Sequence, residues 1–285
     1  MNGLQSINIE ITSRCNKKCD MCGRRKLERE HPELAKWGDM PFEMLERIAG
    51  QIPPGVFIQL HNNGEPLLYP RFADALKLFT GHYVGLDTNG KLLMAQQEAI
   101  RAYLSSITIS VIPDDPEGDE QIDIAWNFLQ FEYRPLVVFR LLGNIDHERY
   151  RTISQWQDEY PKVLMAERIL HSPDGSFDYE KDVTIPETGI CAEMLHKLAI
   201  DRFGGIYPCV RFDPEKKNLL GNIDDPIPNN EPRVCRYVKG KPEYDRLWTF
   251  WHSKTRKQWI QHHIDGRRDL VPLCKDCDFW GIPRG

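Results

Sequence analysis

Cys15, Cys19 and Cys22 stand in C-x3-C-x2-C spacing within eight residues. Three thiolates on one tight loop can bind three irons of a cubane cluster. The fourth iron then lacks a protein ligand, and an open metal position accepts a substrate or cofactor, as catalytic metal sites do. Lys17, Lys18, Arg24 and Arg25 flank the loop and would offset the negative charge of a thiolate-bound cluster. Structural zinc is the plainer alternative, but three close thiols without a near fourth ligand suit it poorly.

A second set lies in the last third of the chain. Cys191 and Cys209 are separated by 17 residues, and Cys274-Lys-Asp-Cys277 follows near the end of the sequence. Two cysteines around a hairpin plus a C-x2-C pair supply four thiolates. Four can close a [4Fe–4S] cluster or a structural zinc site, and the spacing alone admits both. Cys235, the eighth cysteine, is surplus to these sets and reads as a non-ligand thiol. Replacing one of the four ligands, or donating hydrogen near a substrate, are its sharper readings.

Loops of this kind need a rigid frame, and the pattern around them supplies one. Strand-like segments fall at Ile7–Thr12, Val56–Leu60, Tyr83–Asp87, Ile107–Ile112, Leu136–Leu141 and Val163–Arg168. Helix-like segments fall between them at Pro41–Ile52, Pro70–Phe79, Leu92–Leu104, Asp119–Phe131 and Asp146–Tyr160. Pro41 and Pro70 suit first-turn positions, where a missing N–H costs nothing. Alternation of this type predicts an α/β fold with a parallel sheet and outer helices. Six units fall short of the eight that close a full barrel, so a partial (β/α)6 barrel is expected. Residues 171–188 read as a linker rich in Asp, Pro, Gly and Ser, which places a domain boundary near residue 175. Beyond it, residues 197–212 read as a hairpin turning at Gly204–Gly205, residues 222–243 as loop, and Arg246–His263 as one tryptophan-bearing helix.

Catalytic loops of parallel barrels gather at the C-terminal ends of the strands. The first cysteine set follows the first strand. His61-Asn-Asn-Gly64-Glu65-Pro66 follows the second, and Thr88-Asn89-Gly90 the third. Ser110 lies late in the fourth strand and Arg140 late in the fifth. Each has a structural reading as well: Asn-Gly is a turn signal, Gly-Glu-Pro can start a helix, Ser110 can be a satisfied strand serine, Arg140 can sit in an ion pair, and His61 can be a hydrogen-bonded strand-end residue. Their agreement across successive strand ends is what favours a site.

Cys15-Asn-Lys-Lys-Cys19-Asp-Met-Cys22 after a first strand resembles the signature of the radical S-adenosylmethionine superfamily. Met21 departs from it, standing where the family usually has an aromatic residue; Met is apolar and polarisable and can cover a cluster similarly. The resemblance implies a [4Fe–4S] cluster whose unique iron chelates S-adenosylmethionine, reductive cleavage to a 5'-deoxyadenosyl radical, and hydrogen-atom abstraction from a substrate. It implies an external electron donor of the flavodoxin or ferredoxin type. Asn63-Gly64-Glu65-Pro66 resembles the Gly-Gly-Glu-type motif that contacts the cofactor's amino group, with Asn63 in place of the first glycine. Gly64, Glu65, Pro66, Thr88, Asn89, Ser110 and Arg140 are the cofactor-binding residues the resemblance implies. Cys191-x12-Gly204-x4-Cys209, Gly221-Asn-Ile and Trp248–Ser253 before Cys274-x2-Cys277 resemble the SPASM and twitch accessory domains of such enzymes. The short stretch after Cys277 suits the twitch form, with one auxiliary cluster on Cys191, Cys209, Cys274 and Cys277. The layout is similar to butirosin-type aminocyclitol dehydrogenases, which implies oxidation or epimerisation of a small polar metabolite. A peptide substrate is the runner-up, set back because nothing before the first strand resembles a leader-binding segment; a nucleoside or nucleic-acid substrate stays open.

The 285 residues suffice for one large core or a core plus a small accessory domain. A formal net charge of −5 gives no global pull toward nucleic acid or anionic membrane. No apolar run approaches the ~20 residues of a membrane span, and residues 1–10 lack a signal-peptide pattern. A cytoplasmic protein is expected, and thiols there stay reduced, so eight cysteines point to metal or cluster ligation. Lys254, Arg256, Lys257, Arg267 and Arg268, in or after the tryptophan helix, could contact nucleic acid, although a solvated face over a tryptophan core is the commoner arrangement. The rival from another class is a non-enzymatic zinc or iron–sulfur protein.

Overall fold

The computed structural model describes residues 1, 3–168, 183–184, 188–211, 213–238, 241–275, 277 and 282–283. Most of the expected linker, and Phe212 at the end of the expected hairpin, lie outside the described residues.

Six parallel strands form the frame: β1 (Ser6–Ile9), β2 (Phe57–Gln59), β3 (Val84–Thr88), β4 (Ser106–Val111), β5 (Leu136–Leu142) and β6 (Val163–Arg168), adjacent in that order. Between them run α1 (Gly23–Glu30), α2 (Phe42–Ala49), α3 (Phe72–Lys77), α4 (Gln97–Tyr103), α5 (Gly118–Leu129) and α6 (His147–Glu159). This is the expected partial (β/α)6 barrel. The helix α1 was not anticipated, because a mean composition of Arg, Lys and Glu around a single buried leucine, Leu27, gives little apolar periodicity.

Alternation along the strands separates two environments. Ile7, Ile9 and Ile11 of the first strand and its extension are fully buried in the apolar layer shared with Leu45, Ile48, Ile58 and Ile107. Asn8, Glu10 and Thr12 take the other face, and they too are buried. A polar interior lined by strand ends is therefore written into the alternation of β1.

The C-terminal third joins the same sheet. After β7 (Val183–Thr184) and α7 (Ala192–His196), β8 (Lys197–Ile200) pairs parallel with β1, aligning Ser6 with Lys197 and Ile9 with Ile200. The hairpin continues through β9 (Gly205–Tyr207) to β10 (Gly221–Asn222), so one nine-stranded sheet runs from β10 to β6. Gly204 turns the hairpin at φ +81, where a Cβ would lie 2.5 Å from Ile223.

Two expectations need correction. Residues 222–243 are not all loop: β11 (Cys235–Val238) and β12 (Lys241–Tyr244) form an antiparallel pair, with Cys235 opposite Tyr244. The tryptophan segment is two helices, α8 (Arg246–Trp251) and α9 (Lys254–Ile264), because Ser253 caps the second by accepting from the Arg256 N–H. The last strand, β13 (Ile282–Pro283), pairs with β7.

Candidate active site

The first cysteine loop runs from the end of β1 to α1 and is held on two sides. On one side the Ser13 N–H donates to the Gly38 carbonyl at 2.9 Å, and Met40 N–H donates to Ile11 at 2.8 Å. Arg14 bridges to Asp39 at 2.9 Å and reaches the Leu68 carbonyl at 2.8 Å. On the other side Gly64 lies so close that an added Cβ would sit 2.3 Å from the Thr12 oxygen, while the Glu65 N–H donates to Arg14 at 2.8 Å. The sequence motif after β2 is thus a backbone seat for the cysteine loop.

The three thiols are brought together. Burial and then the neighbouring Cys22 and Cys15 push Cys19 up to about 11. Burial raises Cys22 as well, opposed by the backbone N–H and the guanidinium of Arg24 and by Arg25. Half-buried thiolates that repel one another need a cation among them, and an iron core supplies it. The residues present therefore fit a thiolate-bound cluster. Lys17 does not serve that purpose alone: its Nζ lies 2.5 Å from Asp115, with both side chains about 5% exposed or less, and 3.8 Å from Glu117. This buried pair ties the loop to the segment after β4.

Glu65 joins three elements. Its Oε1 accepts from the Leu67 N–H at 3.1 Å and Thr88 Oγ1 at 2.8 Å, and its Oε2 accepts from the Asn89 N–H at 2.8 Å. Burial raises its pKa, and these donors oppose the rise. Pro66 opens the short turn that Glu65 caps. Asn89 donates to Asn16 at 2.7 Å and comes within 3.9 Å of the Cys15 sulfur. Gln121, on α5, donates to the Asn89 carbonyl at 2.7 Å and the Ser110 carbonyl at 3.0 Å. Gly64, Glu65, Pro66, Thr88 and Asn89 thus surround the first cysteine loop, with Ser110 linked to them through Gln121.

Arg140 faces the interior in an ion pair with Asp87 of β3. Asp87 also accepts from Gln59 at 2.8 Å and lies 3.5 Å from His61. Burial would raise the Asp87 carboxyl, but His61, Arg140 and the hydrogen bonds together hold it below its ordinary value. Burial lowers His61 in turn.

Sequence reasoning missed Asp87, Lys17–Asp115, Gln121 and Glu10. Glu10 is 5% exposed at the end of β1, and its Oε2 accepts from Asn63 at 3.2 Å. Burial pushes its pKa up to about 7, with Asp201 adding to the rise. A run of polar side chains, Asn8, Glu10 and Thr12, alternating with isoleucines in the first strand is the signal that could have found it.

The second cysteine set also converges. Burial raises Cys191, and lifts Cys209 and Cys274 each to about 12; Cys277 acts electrostatically on all three, and Cys191 on Cys209 and Cys274. Backbone N–H groups of Glu193 and Met194 point at Cys191, and that of Arg211 at Cys209. This donor set fits a cluster by the same reasoning as the first. Among the described residues no three His, Cys, Asp or Glu side chains gather tightly enough to share one metal ion. Cys235 is exposed at the start of β11. Of the basic residues near the tryptophans, Arg256 is buried, with its guanidinium 3.5 Å from the Trp251 ring, and donates to the Met194 carbonyl; it is not part of a surface stripe.

A partial barrel whose strand-end loops gather three thiols beside a buried acidic turn defines an enzyme of the iron–sulfur radical class. No protein-family model matches the chain. It is 35% identical, over 96% of its own length and 87% of the relative's, to the tungsten-containing aldehyde ferredoxin oxidoreductase cofactor-modifying protein of Pyrococcus furiosus. It is 25% identical over 64% of its length to the GTP 3',8-cyclase of Staphylococcus haemolyticus, covering 59% of that protein. The crystal structure of BtrN in complex with AdoMet and 2-DOIA shares the fold, with a TM-score of 0.56 at 17% identity over 99% of this chain and 95% of that one. The chain belongs to the radical S-adenosylmethionine superfamily of enzymes. Its cofactors are S-adenosylmethionine and a [4Fe–4S] cluster. Among the described residues no helix is long and apolar enough to cross a membrane.

Proposed function

We propose that Cys15, Cys19 and Cys22 hold the S-adenosylmethionine-binding cluster, and that Cys191, Cys209, Cys274 and Cys277 hold a second, auxiliary [4Fe–4S] cluster in a twitch-like unit. The unit would occupy residues 176–285, with the barrel at 1–175. A cluster held by Cys15, Cys19 and Cys22 would, with an electron from a flavodoxin or ferredoxin-like donor, supply reductive cleavage of S-adenosylmethionine and so the means of removing a hydrogen atom from the substrate. Gly64 and Glu65 seat the cysteine loop. Glu65, Pro66, Thr88 and Asn89 form the wall beside it, where the cofactor's polar groups would be received, with Ser110 and Arg140 further along the strand ends. Asp87, on β3, holds the Arg140 guanidinium of β5 across the intervening β4.

The reaction proposed is oxidation or epimerisation of a small polar substrate. What supports it is the electrostatic effect that four partly buried thiols have on one another, since a second cluster would give the substrate's remaining electron a destination. The name of the Pyrococcus relative, a cofactor-modifying protein, favours a small molecule over a peptide. That of the Staphylococcus relative keeps a nucleotide as the second reading.

The test is anaerobic reconstitution followed by iron and sulfide counting and a 5'-deoxyadenosine assay with dithionite. About eight irons per chain are expected, four for each cubane. Adding the ultrafiltrate of a cell extract should stimulate 5'-deoxyadenosine formation, and the retained protein fraction should not. The reverse pattern would replace the small-molecule reading with a peptide or protein substrate.

A further inference from the structure

The C-x2-C arm is gripped by two arginines from different elements. Arg211, two residues after Cys209, donates from Nη1 to the Leu273 carbonyl at 2.5 Å. Arg268, in the turn after α9, donates from Nη1 to the Cys277 carbonyl at 3.4 Å and from Nη2 to the Lys275 carbonyl at 3.3 Å. The carbonyls of residues 273, 275 and 277 are alternate groups along the arm that carries Cys274 and Cys277. Both guanidiniums therefore lie against the backbone on either side of Cys274. The Arg211 backbone N–H is also directed at Cys209. Arg211 therefore touches both halves of the four-thiol set, one through its backbone and the other through its side chain. The acid beside Cys191, Glu193, is neutralised by Lys197 at 2.9 Å.

The first cysteine loop has buried cations as well: Lys17, paired with Asp115, and Arg24, which with Arg25 acts on Cys22. Fixed positive charge and N–H donors directed at cluster sulfurs raise a reduction potential, because reduction adds a negative charge that they stabilise. We infer that Arg211 and Arg268 are positioning residues that lock the Cys274–Cys277 arm onto Cys191 and Cys209 and set the auxiliary cluster at a higher potential than bare thiolate ligation would give. Electron flow from substrate toward this cluster is thereby favoured. The inference rests on the auxiliary-cluster reading.

The experiment uses the full chain with Cys15, Cys19 and Cys22 replaced by Ala, so that one cluster is observed, and follows its EPR signal through a redox titration. R211Q and R268Q should each retain iron and shift the midpoint negative. The double variant should disfavour reduction about tenfold, equivalent to about 59 mV for one electron. R211K and R268K, which keep the charge but lose the fork, should hold the potential near that of the parent while lowering the yield of assembled cluster. A glutamine pair with full iron and an unchanged midpoint would overturn the inference. If the glutamine variants lose their iron, the lysine pair decides: a midpoint near that of the parent is expected, and one shifted negative by about 59 mV despite the retained charge would overturn the inference. Zinc, or no metal, in the parent triple-alanine protein would instead refute the auxiliary-cluster reading.

Discussion

Gly64 lies against Thr12 so closely that a β-carbon on it would come within 2.3 Å of the Thr12 carbonyl oxygen, with the Arg14 oxygen and Ser13 Cα both at 2.9 Å. All three neighbours are backbone, so none can rotate away. Gly64→Ala should push the cysteine loop off its seat. The variant should lose about four irons, one cubane, and lose 5'-deoxyadenosine formation, while the second cysteine set keeps its share. Iron analysis of the reconstituted variant checks this, and full iron with normal cleavage would show that the loop is not seated here.

The cysteine triple variant, Ala at positions 15, 19 and 22, should form no 5'-deoxyadenosine yet retain about four irons per chain. Undiminished cleavage would refute the assignment of the first site. Zinc in place of the retained iron would remove the main support for an oxidative reaction.

Cys235→Ala should keep the iron content and cofactor cleavage of the parent. Cys235 is exposed and opens β11, opposite Tyr244, whereas the four proposed ligands are partly buried together. Loss of one cubane in this variant, with Cys191→Ala retaining its iron, would exchange the two residues in the ligand set. Cleavage without completed turnover would point to a hydrogen-donor role.

Glu10 should make the fold pH-sensitive. Its folded pKa, about 7, is above its ordinary value of 4.5, so protonation stabilises the folded state. The protonated carboxyl is accommodated fully below about pH 4.5, and that contribution is lost as pH rises through 7. At most about 3 kcal/mol is involved, from the size of the shift. Glu10→Gln should unfold at higher denaturant than the parent at pH 8 and show little difference at pH 4.5. Parallel denaturant curves for both proteins across this range would mean that Glu10 is not held in a desolvated site.

Arg140 and Asp87 show where reading the sequence ends. The position of Arg140, late on a strand with a parallel neighbour, is legible because strand periodicity is local. Its partner is not: Asp87 lies 53 residues away and meets it only because β3, β4 and β5 are laid side by side. The same separation hides Lys17–Asp115, 98 residues apart, and the arginine grip of Arg211 on residue 273. Likewise the pairing of β8 with β1, which joins the C-terminal third to the sheet, has no signature in either strand.

By itself the sequence determined the cysteine spacing, the strand–helix alternation, and the glycine before Glu65, because these depend on contacts between near neighbours in the chain. It also placed Cys191, Cys209, Cys274 and Cys277 in one group by count, without saying that they meet. Only the tertiary structure decided which carboxyls are buried and which are paired, and so which charges are expressed. Desolvation and Coulomb energy depend on distance and burial in the folded molecule, and Glu10 and Asp87, both acids near strand ends, are driven in opposite directions by their surroundings.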